Sequence, residues 1–249
     1  MRHSKSLNRI YFSGQFAPDA ECTLPAAQSH HVRDVLRLRD GDPVTLFDGS
    51  GAEYPSRIVR IGKREITVLV AQRLEVDRES PLAVTLAQAV SAGERMDYTV
   101  QKAVELGVVA IQPVTSARTI LRLDAARAAK RVAHWQAVAI AACEQCGRNR
   151  VPIVLPLLPF GQWIAQAPLR ACALGLLLAP DAPRTVRELA RPQGAVALLA
   201  GPEGGYAPEE ERAALAAGFL AVRLGPRVLR TETAALVGLA ALQALWGDV

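Results

Sequence analysis

Five apolar runs of strand length, at residues 82–90, 108–114, 171–178, 194–200 and 219–224, punctuate the last two thirds of this 249-residue chain, with helical segments between them. A strand that reads as a continuous apolar run is buried on both faces. Strands that alternate with helices return in the same direction across the sheet. The pattern therefore predicts an α/β fold, a mostly parallel sheet with helices on both faces. Residues 95–106 read as an amphipathic helix ended by Gly107, and residues 125–145 as a long alanine-rich one.

The first third has another rhythm. Residues 43–47, 53–61 and 65–73 are short runs rich in β-branched side chains, and the turn-like Asp48-Gly49-Ser50-Gly51 separates the first two. Residues 30–38 read as a helix, with Val32, Val35, Leu36 and Leu38 apolar, stopped by Arg39-Asp40-Gly41-Asp42. Short strands joined by turns predict a small β-barrel. Residues 75–81 are charged and end in Pro81, which sets a boundary there. The expected organisation is a barrel at 1–75 and an α/β domain at 80–249.

Composition narrows the classes. Hydrophobic residues make up 50% and charged residues 21%, as in a globular chain with a core. Aromatics, at 5%, are too few for an RNA surface built mainly on stacked rings. No apolar run reaches membrane-spanning length, and the basic, polar start from Met1 to Arg9 lacks the apolar stretch of a secretory signal. Four cysteines (Cys22, Cys143, Cys146 and Cys172) do not make a disulfide framework, so a reducing cytoplasm is expected. The net charge is +5, and residues 118–150 carry seven basic side chains against Asp124 and Glu144, equal to the whole excess. Such a field attracts polyanions, although a solvated helix face reads the same way.

Three segments carry candidate chemistry. In the first, the apolar run ending at Ala200 enters Gly201-Pro202-Glu203-Gly204-Gly205, and Pro208 with Glu209, Glu210 and Glu211 opens a helix. Ligands of open α/β sheets bind beyond the carboxyl ends of strands, where glycines admit close approach. The loop is neither a dinucleotide fingerprint nor a phosphate-binding Gly-Lys-Ser/Thr loop, and a generic glycine turn remains the bland reading. In the second, Leu224-Gly225-Pro226-Arg227-Val228-Leu229-Arg230 leads to Thr231-Glu232-Thr233, where either threonine is a candidate N-cap. The third is Cys143-Glu144-Gln145-Cys146-Gly147-Arg148-Asn149-Arg150. Its lone Cys-x-x-Cys lacks the second ligand pair that zinc wants, so no metal is expected. His30 and His31 have no nucleophile or metal partner nearby in sequence, and no nucleophile elbow is present.

Together these segments resemble the bacterial family that methylates N3 of a uridine in 16S ribosomal RNA, within the SPOUT superfamily of S-adenosylmethionine (SAM)-dependent methyltransferases. Residues 93–107, with Glu94-Arg95-Met96-Asp97 and Gln101-Lys102-Ala103-Val104-Glu105-Leu106, also look like that family, and residues 31–54 resemble its PUA-like barrel. Ala92 stands where the family leads one to expect a lysine.

The resemblance implies a deep trefoil knot in the C-terminal domain, a homodimer, and 16S rRNA of the small ribosomal subunit as substrate. It implies SAM held by three loops: Leu177, Leu178, Ala179 and Pro180; Ala200, Gly201, Pro202, Gly204 and Gly205; and Leu224, Gly225, Val228 and Leu229. For catalysis, Arg230 is expected to stabilise negative charge on the uracil, because a guanidinium stays charged and presents a fork of donors. Glu203 is expected to polarise a donor or orient the ligand. Glu144, Glu232 and water are the candidate proton acceptors. Arg9, Arg148, Arg150 and Arg227 are expected to contact RNA. Three alternatives stay open: the same fold acting on a ribose 2′-hydroxyl of transfer RNA, a non-catalytic RNA-binding assembly factor, and a dinucleotide-dependent oxidoreductase, which the missing fingerprint disfavours.

Overall fold

The computed structural model describes residues 8–119 and 124–249. Arg122, one of the seven basic residues of the 118–150 segment, and the first seven residues lie outside that range. The chain divides into two compact units. One runs to Glu79 and includes Cys143–Val151, and the other comprises Ser80–Ala142 and Pro152–Val249. The change of rhythm at 75–81 contains the first of these divisions. Nothing in the sequence reading had set residues 143–151 with the N-terminal unit.

The N-terminal unit is a six-stranded sheet. Its strands are β1 (Asn8–Tyr11), β2 (Glu21–Thr23), β3 (Pro43–Phe47), β4 (Ala52–Ile61), β5 (Ile66–Val70) and β6 (Leu74–Glu75). They run in the order β1-β3-β4-β5-β2, with β6 on β4. All pairs are antiparallel except β1 with β3. One apolar cluster takes Ile10 from β1, Val44 and Leu46 from β3, Ile58 from β4, Val68 from β5, and Leu24 just after β2. Both edges of the sheet thus feed a single core, as a sheet curled around its own interior requires. The turn between β3 and β4 closes as its residues dictate: Gly49 and Gly51 take positive φ, and the Ser50 amide donates to Asp48 at 2.9 Å. The helix expected at 30–38 is instead α1 (Ala26–His30) running into one π-helical stretch, His31–Val35.

The C-terminal unit is all parallel wherever strands pair. Its long strands are β7 (Val84–Ala89), β8 (Ala110–Thr115), β11 (Leu174–Leu178), β13 (Val196–Ala200) and β14 (Leu220–Arg223). Short pieces complete it: β9 (Ile153–Val154), β10 (Leu158–Pro159) and β12 (Arg184–Thr185). The order is β10-β8-β7-β13-β11-β14-β12, with β9 on β8. The helices are α2 (Arg95–Glu105), α3 (Ala125–Cys146), α4 (Phe160–Ala165), α5 (Pro208–Ala216) and α6 (Thr231–Trp246).

Alternate side chains of the strands go to opposite faces. Ala87, Leu177, Ala197 and Leu199 pack with Phe160 and Trp163 of α4 and Ala214 of α5. On the other face α6 lies across β7, β11 and β13 and against α2. It comes in closely at Gly238, where a Cβ would sit 3.1 Å from Leu198 and 3.3 Å from Leu178. Because β13, β11 and β14 are parallel neighbours, the loops that follow them open at one edge of the sheet. That topology positions the site.

A candidate cofactor cleft in the C-terminal unit

A cleft of about 620 Å³ opens beyond β11 and β13. Leu178 and Pro180 form one wall, the 201–205 loop another, and Val228 to Glu232 a third, with Arg95 at the rim. A small recess of about 50 Å³ shares Leu178, Pro180 and Leu229 with it and adds Ala179, Leu224, Gly225 and Arg227. Of the residues expected to hold a cofactor, Leu177 and Ala200 alone line neither. Both are buried strand residues: the Leu177 side chain belongs to the core beneath, and the Ala200 carbonyl accepts from Tyr206 at 3.1 Å.

The glycine loop has its shape because of that tyrosine. Tyr206 is buried, and desolvation pushes its hydroxyl well above the ordinary tyrosine range, with Glu210 adding to the effect, so it remains a neutral donor. Any Cβ on Gly201 would meet the Tyr206 ring at 3.2 Å, and Gly205 takes φ +69°. The loop is also tied from outside. Arg118 donates to the Gly204 carbonyl at 2.7 Å, and Glu210 accepts from the Ala207 amide at 2.9 Å and the Ala117 amide at 2.8 Å. Glu210 thereby satisfies an otherwise orphaned donor at the start of α5.

The α6 start corrects one expectation. Neither Thr231 nor Thr233 caps the helix: the N-cap position is Arg230, and no side chain closes it. Thr231 is the first helical residue, so its hydroxyl faces away from the helix amides. It donates instead to the Gly201 carbonyl in a short hydrogen bond and accepts from Gln88 Nε2 at 3.0 Å. Gln88 is the penultimate residue of β7 and is fully buried. This chain locks the glycine loop to the beginning of α6. Its sequence signal was a lone amide, Gln88, in a mostly apolar strand.

The candidate carboxylates differ in their surroundings. Glu203 accepts from the Ala92 amide at 3.3 Å and from Arg95 at 3.0 Å. The position where a lysine was expected therefore contributes through its backbone. Glu144 lies in the N-terminal unit, where it accepts the Tyr11 amide at 3.0 Å. Burial raises the pKa of its carboxyl, against the smaller opposing effect of that amide. Glu232 lines the cleft, and its Oε2 is buried without a hydrogen-bond partner among the described residues.

The candidate RNA-contacting arginines also split. Arg227 and Arg150 are exposed. Arg9 and Arg148 are not, their side chains being 9% and 5% exposed. Arg9 bonds Glu53 at 2.9 Å, reaches Asn149, and lies over the Phe47 ring at 4.6 Å. Arg148 is held by both oxygens of Glu79, with Nε at 3.1 Å from each. The structure thus turns the donors of these two inward, onto the part-buried carboxylates of Glu53 and Glu79. Cys143 is buried and its thiol is pushed up to about 12 by desolvation, which keeps it inert as a nucleophile. Among the described residues no group of three or more His, Cys, Asp or Glu could hold a metal ion, and no helix is long and apolar enough to cross a membrane.

Residues 78–243 match the RNA methyltransferase domain family, and residues 24–71 match the RNA methyltransferase PUA domain. The ribosomal RNA small subunit methyltransferase E of Buchnera aphidicola subsp. Schizaphis graminum is 31% identical over 248 residues, 98% of this chain and 99% of that one. The protein of the same name from Mycobacterium bovis is 35% identical, over 88% of this chain and 84% of its own. A putative methyltransferase from Legionella pneumophila, solved with bound SAM, superposes with a TM-score of 0.93 at 42% identity, covering 98% of this chain and 99% of its own. The ribosomal RNA small subunit methyltransferase E of Neisseria gonorrhoeae, solved with S-adenosyl methionine, gives 0.90 at 42% identity, covering 97% and 99%. With a glycine-walled cleft at the strand ends and a match that spans both units, this chain belongs to the RNA methyltransferase family of the ribosomal RNA small subunit methyltransferase E type.

Proposed function

We propose that this protein transfers a methyl group from SAM to N3 of a uridine in 16S ribosomal RNA of the small subunit. The observation that carries the reading is the cleft of about 620 Å³, walled by the loops after β11 and β13 and by the start of α6. That volume suits a small-molecule site. Its wall of glycine backbone and its orphaned buried Glu232 oxygen suit a ligand with both flat apolar surface and hydrogen-bond donors.

SAM supplies a methyl group on a positively charged sulfur. The residues that would hold it are Leu178, Ala179 and Pro180; Gly201, Pro202, Gly204 and Gly205; and Leu224, Gly225, Val228 and Leu229, with backbone from Leu177 and Ala200. Arg230 sits exposed at the cleft wall and stabilises the negative charge that develops on the uracil oxygens. Glu203, fixed by Ala92 and Arg95, positions the glycine loop. A uridine whose N3 is paired is blocked, so the target must be unpaired or flipped out. Arg227, Arg150 and the exposed basic residues Lys130 and Arg131 contact RNA phosphates.

Two finer features belong to the same reading. The path that leaves β14 and lays α6 across β7, β11 and β13 supports a trefoil knot. The exposed Val237 and Leu245 on α6 flank an apolar groove of about 420 Å³ and support a homodimer.

The test is methyl transfer from labelled SAM to small ribosomal subunits lacking the modification, followed by nucleoside analysis. Label recovered as N3-methyluridine is the expected result. Label in a 2′-O-methylated nucleoside would overturn the substrate and leave the enzyme class standing. SAM binding without transfer to subunits or to free RNA would sink the catalytic reading.

A further inference from the structure

We infer that Glu232 is the proton acceptor for the uracil imide, an inference that rests on the N3-methylation reading above. Neutral uracil carries a proton on N3 and is a poor nucleophile there, so the site must take that proton as the new bond forms. Glu144 and Glu232 were the candidate carboxylates for this step by sequence, Glu203 is the third carboxylate of the expected site, and their surroundings separate the three. Glu203 is already committed to the Ala92 amide and the Arg95 guanidinium. Glu144 is committed to the Tyr11 amide in the other unit. Glu232 lines the cleft, and it alone of the three has a buried oxygen, Oε2, with no hydrogen-bond partner among the described residues.

A buried acceptor without a donor costs free energy, and native proteins rarely leave one unless a ligand or a reaction uses it. The described residues supply no donor for it, and the cleft that Glu232 lines is where a ligand would bring one. The imide edge of uracil offers one N–H between two carbonyl oxygens. Arg230, at the N-cap of α6, and Glu232, two residues on, supply a donor fork and an acceptor from one helix start. The Thr231 hydroxyl between them fixes that start to Gly201 and Gln88.

The step balances as follows. The N3 proton passes to the Glu232 carboxylate, giving the carboxylic acid. The N3 electron pair forms the bond to the methyl carbon. The carbon–sulfur bond breaks with its pair remaining on sulfur, leaving neutral S-adenosylhomocysteine. Glu232 then releases its proton to water.

The test uses the full chain, SAM and small subunits lacking the modification, with single-turnover rates measured across pH and SAM affinity measured by calorimetry. For Glu232→Gln the rate falls by about 100-fold or more, the span a placed base contributes, while SAM affinity stays within about threefold. The wild-type rate levels off as pH rises. The Gln variant's rate keeps climbing, because only spontaneously ionised imide then reacts. Glu232→Asp recovers part of the rate, and it carries the test through its own pH profile if the Gln variant does not fold. A Gln variant with wild-type rate and pH profile overturns the inference. So does one that loses SAM affinity while keeping its maximal rate, since the carboxylate would then serve the cofactor's ammonium. If wild type places label elsewhere than N3, the reading fails before the inference is reached. If wild type makes N3-methyluridine and the Gln variant matches it, the inference alone fails.

Discussion

The two units use the same kinds of charged residue in opposite ways. In the N-terminal unit Arg9, Arg148, Glu53 and Glu79 are turned inward and paired, with Asn149 completing the group by donating to the Val76 carbonyl at 2.9 Å. At the C-terminal cleft Arg227 and Arg230 stand exposed, and Glu232 keeps a buried oxygen unpartnered. Buried pairs are held because losing one partner strands a charge. Open groups contribute little to stability and are free for a ligand. The difference teaches that charge type alone does not mark a binding residue, whereas an unmet hydrogen-bonding capacity at a cleft does.

Four substitutions test that contrast, beginning with the largest effect. Arg148→Ala leaves the part-buried Glu79 carboxylate without its guanidinium and costs about 3 kcal/mol, the low end for a buried pair, read as a lower thermal midpoint. Pairing it with Glu79→Leu recovers much of the loss. An Arg148→Ala protein of normal stability but weakened RNA binding would break the contrast. Arg230→Ala shows the converse, with single-turnover methyl transfer reduced about 10²–10³-fold while SAM affinity and thermal midpoint are kept. Unchanged turnover would remove Arg230 from the catalytic set.

Thr231→Val is intermediate, because its hydroxyl is buried structure that serves the cleft. The Gly201 carbonyl and the Gln88 amide lose their partner, at a cost of about 1–3 kcal/mol, and SAM affinity falls with stability. Thr231→Ser restores both. If stability fell while affinity held, the hydroxyl would be structural only.

The smallest effect is a pH dependence. Burial raises the Glu144 carboxyl above its unfolded value. Its contribution to stability is therefore fully present below the unfolded value and is lost as pH rises through the folded one. Glu144→Gln keeps an acceptor for the Tyr11 amide, removes that loss, and leaves the protein at least as stable at neutral pH. Denaturant melts at pH 4, 5.5 and 7 would show it, and identical slopes for both proteins would contradict it.

Much of this was legible in the residues. The apolar runs at 82–90, 108–114, 171–178, 194–200 and 219–224 contain β7, β11, β13, β14 and all but the last residue of β8, because a strand buried on both faces must be apolar throughout. The glycine loop at 201–205 and the Arg227–Arg230 segment were visible as loops that follow strands. Short elements escaped notice. β1 and β2 span four and three residues, too few for a period to show. Thr231 was misread as a cap, since a threonine before an apolar helix carries that meaning locally, and its actual partners lie 30 and 143 residues away.

The sequence by itself determined the kind of sheet, the places where its loops open and the family, because these follow from local pattern and from motifs in fixed order. Only the tertiary structure decided which charges are spent on the fold. The return of residues 143–151 to the N-terminal unit turned Arg148 and Asn149 inward, and the parallel order β13-β11-β14 gathered three distant loops at one edge. Burial and hydrogen-bond partnership are properties of neighbours in space, and a sequence records only neighbours along the chain.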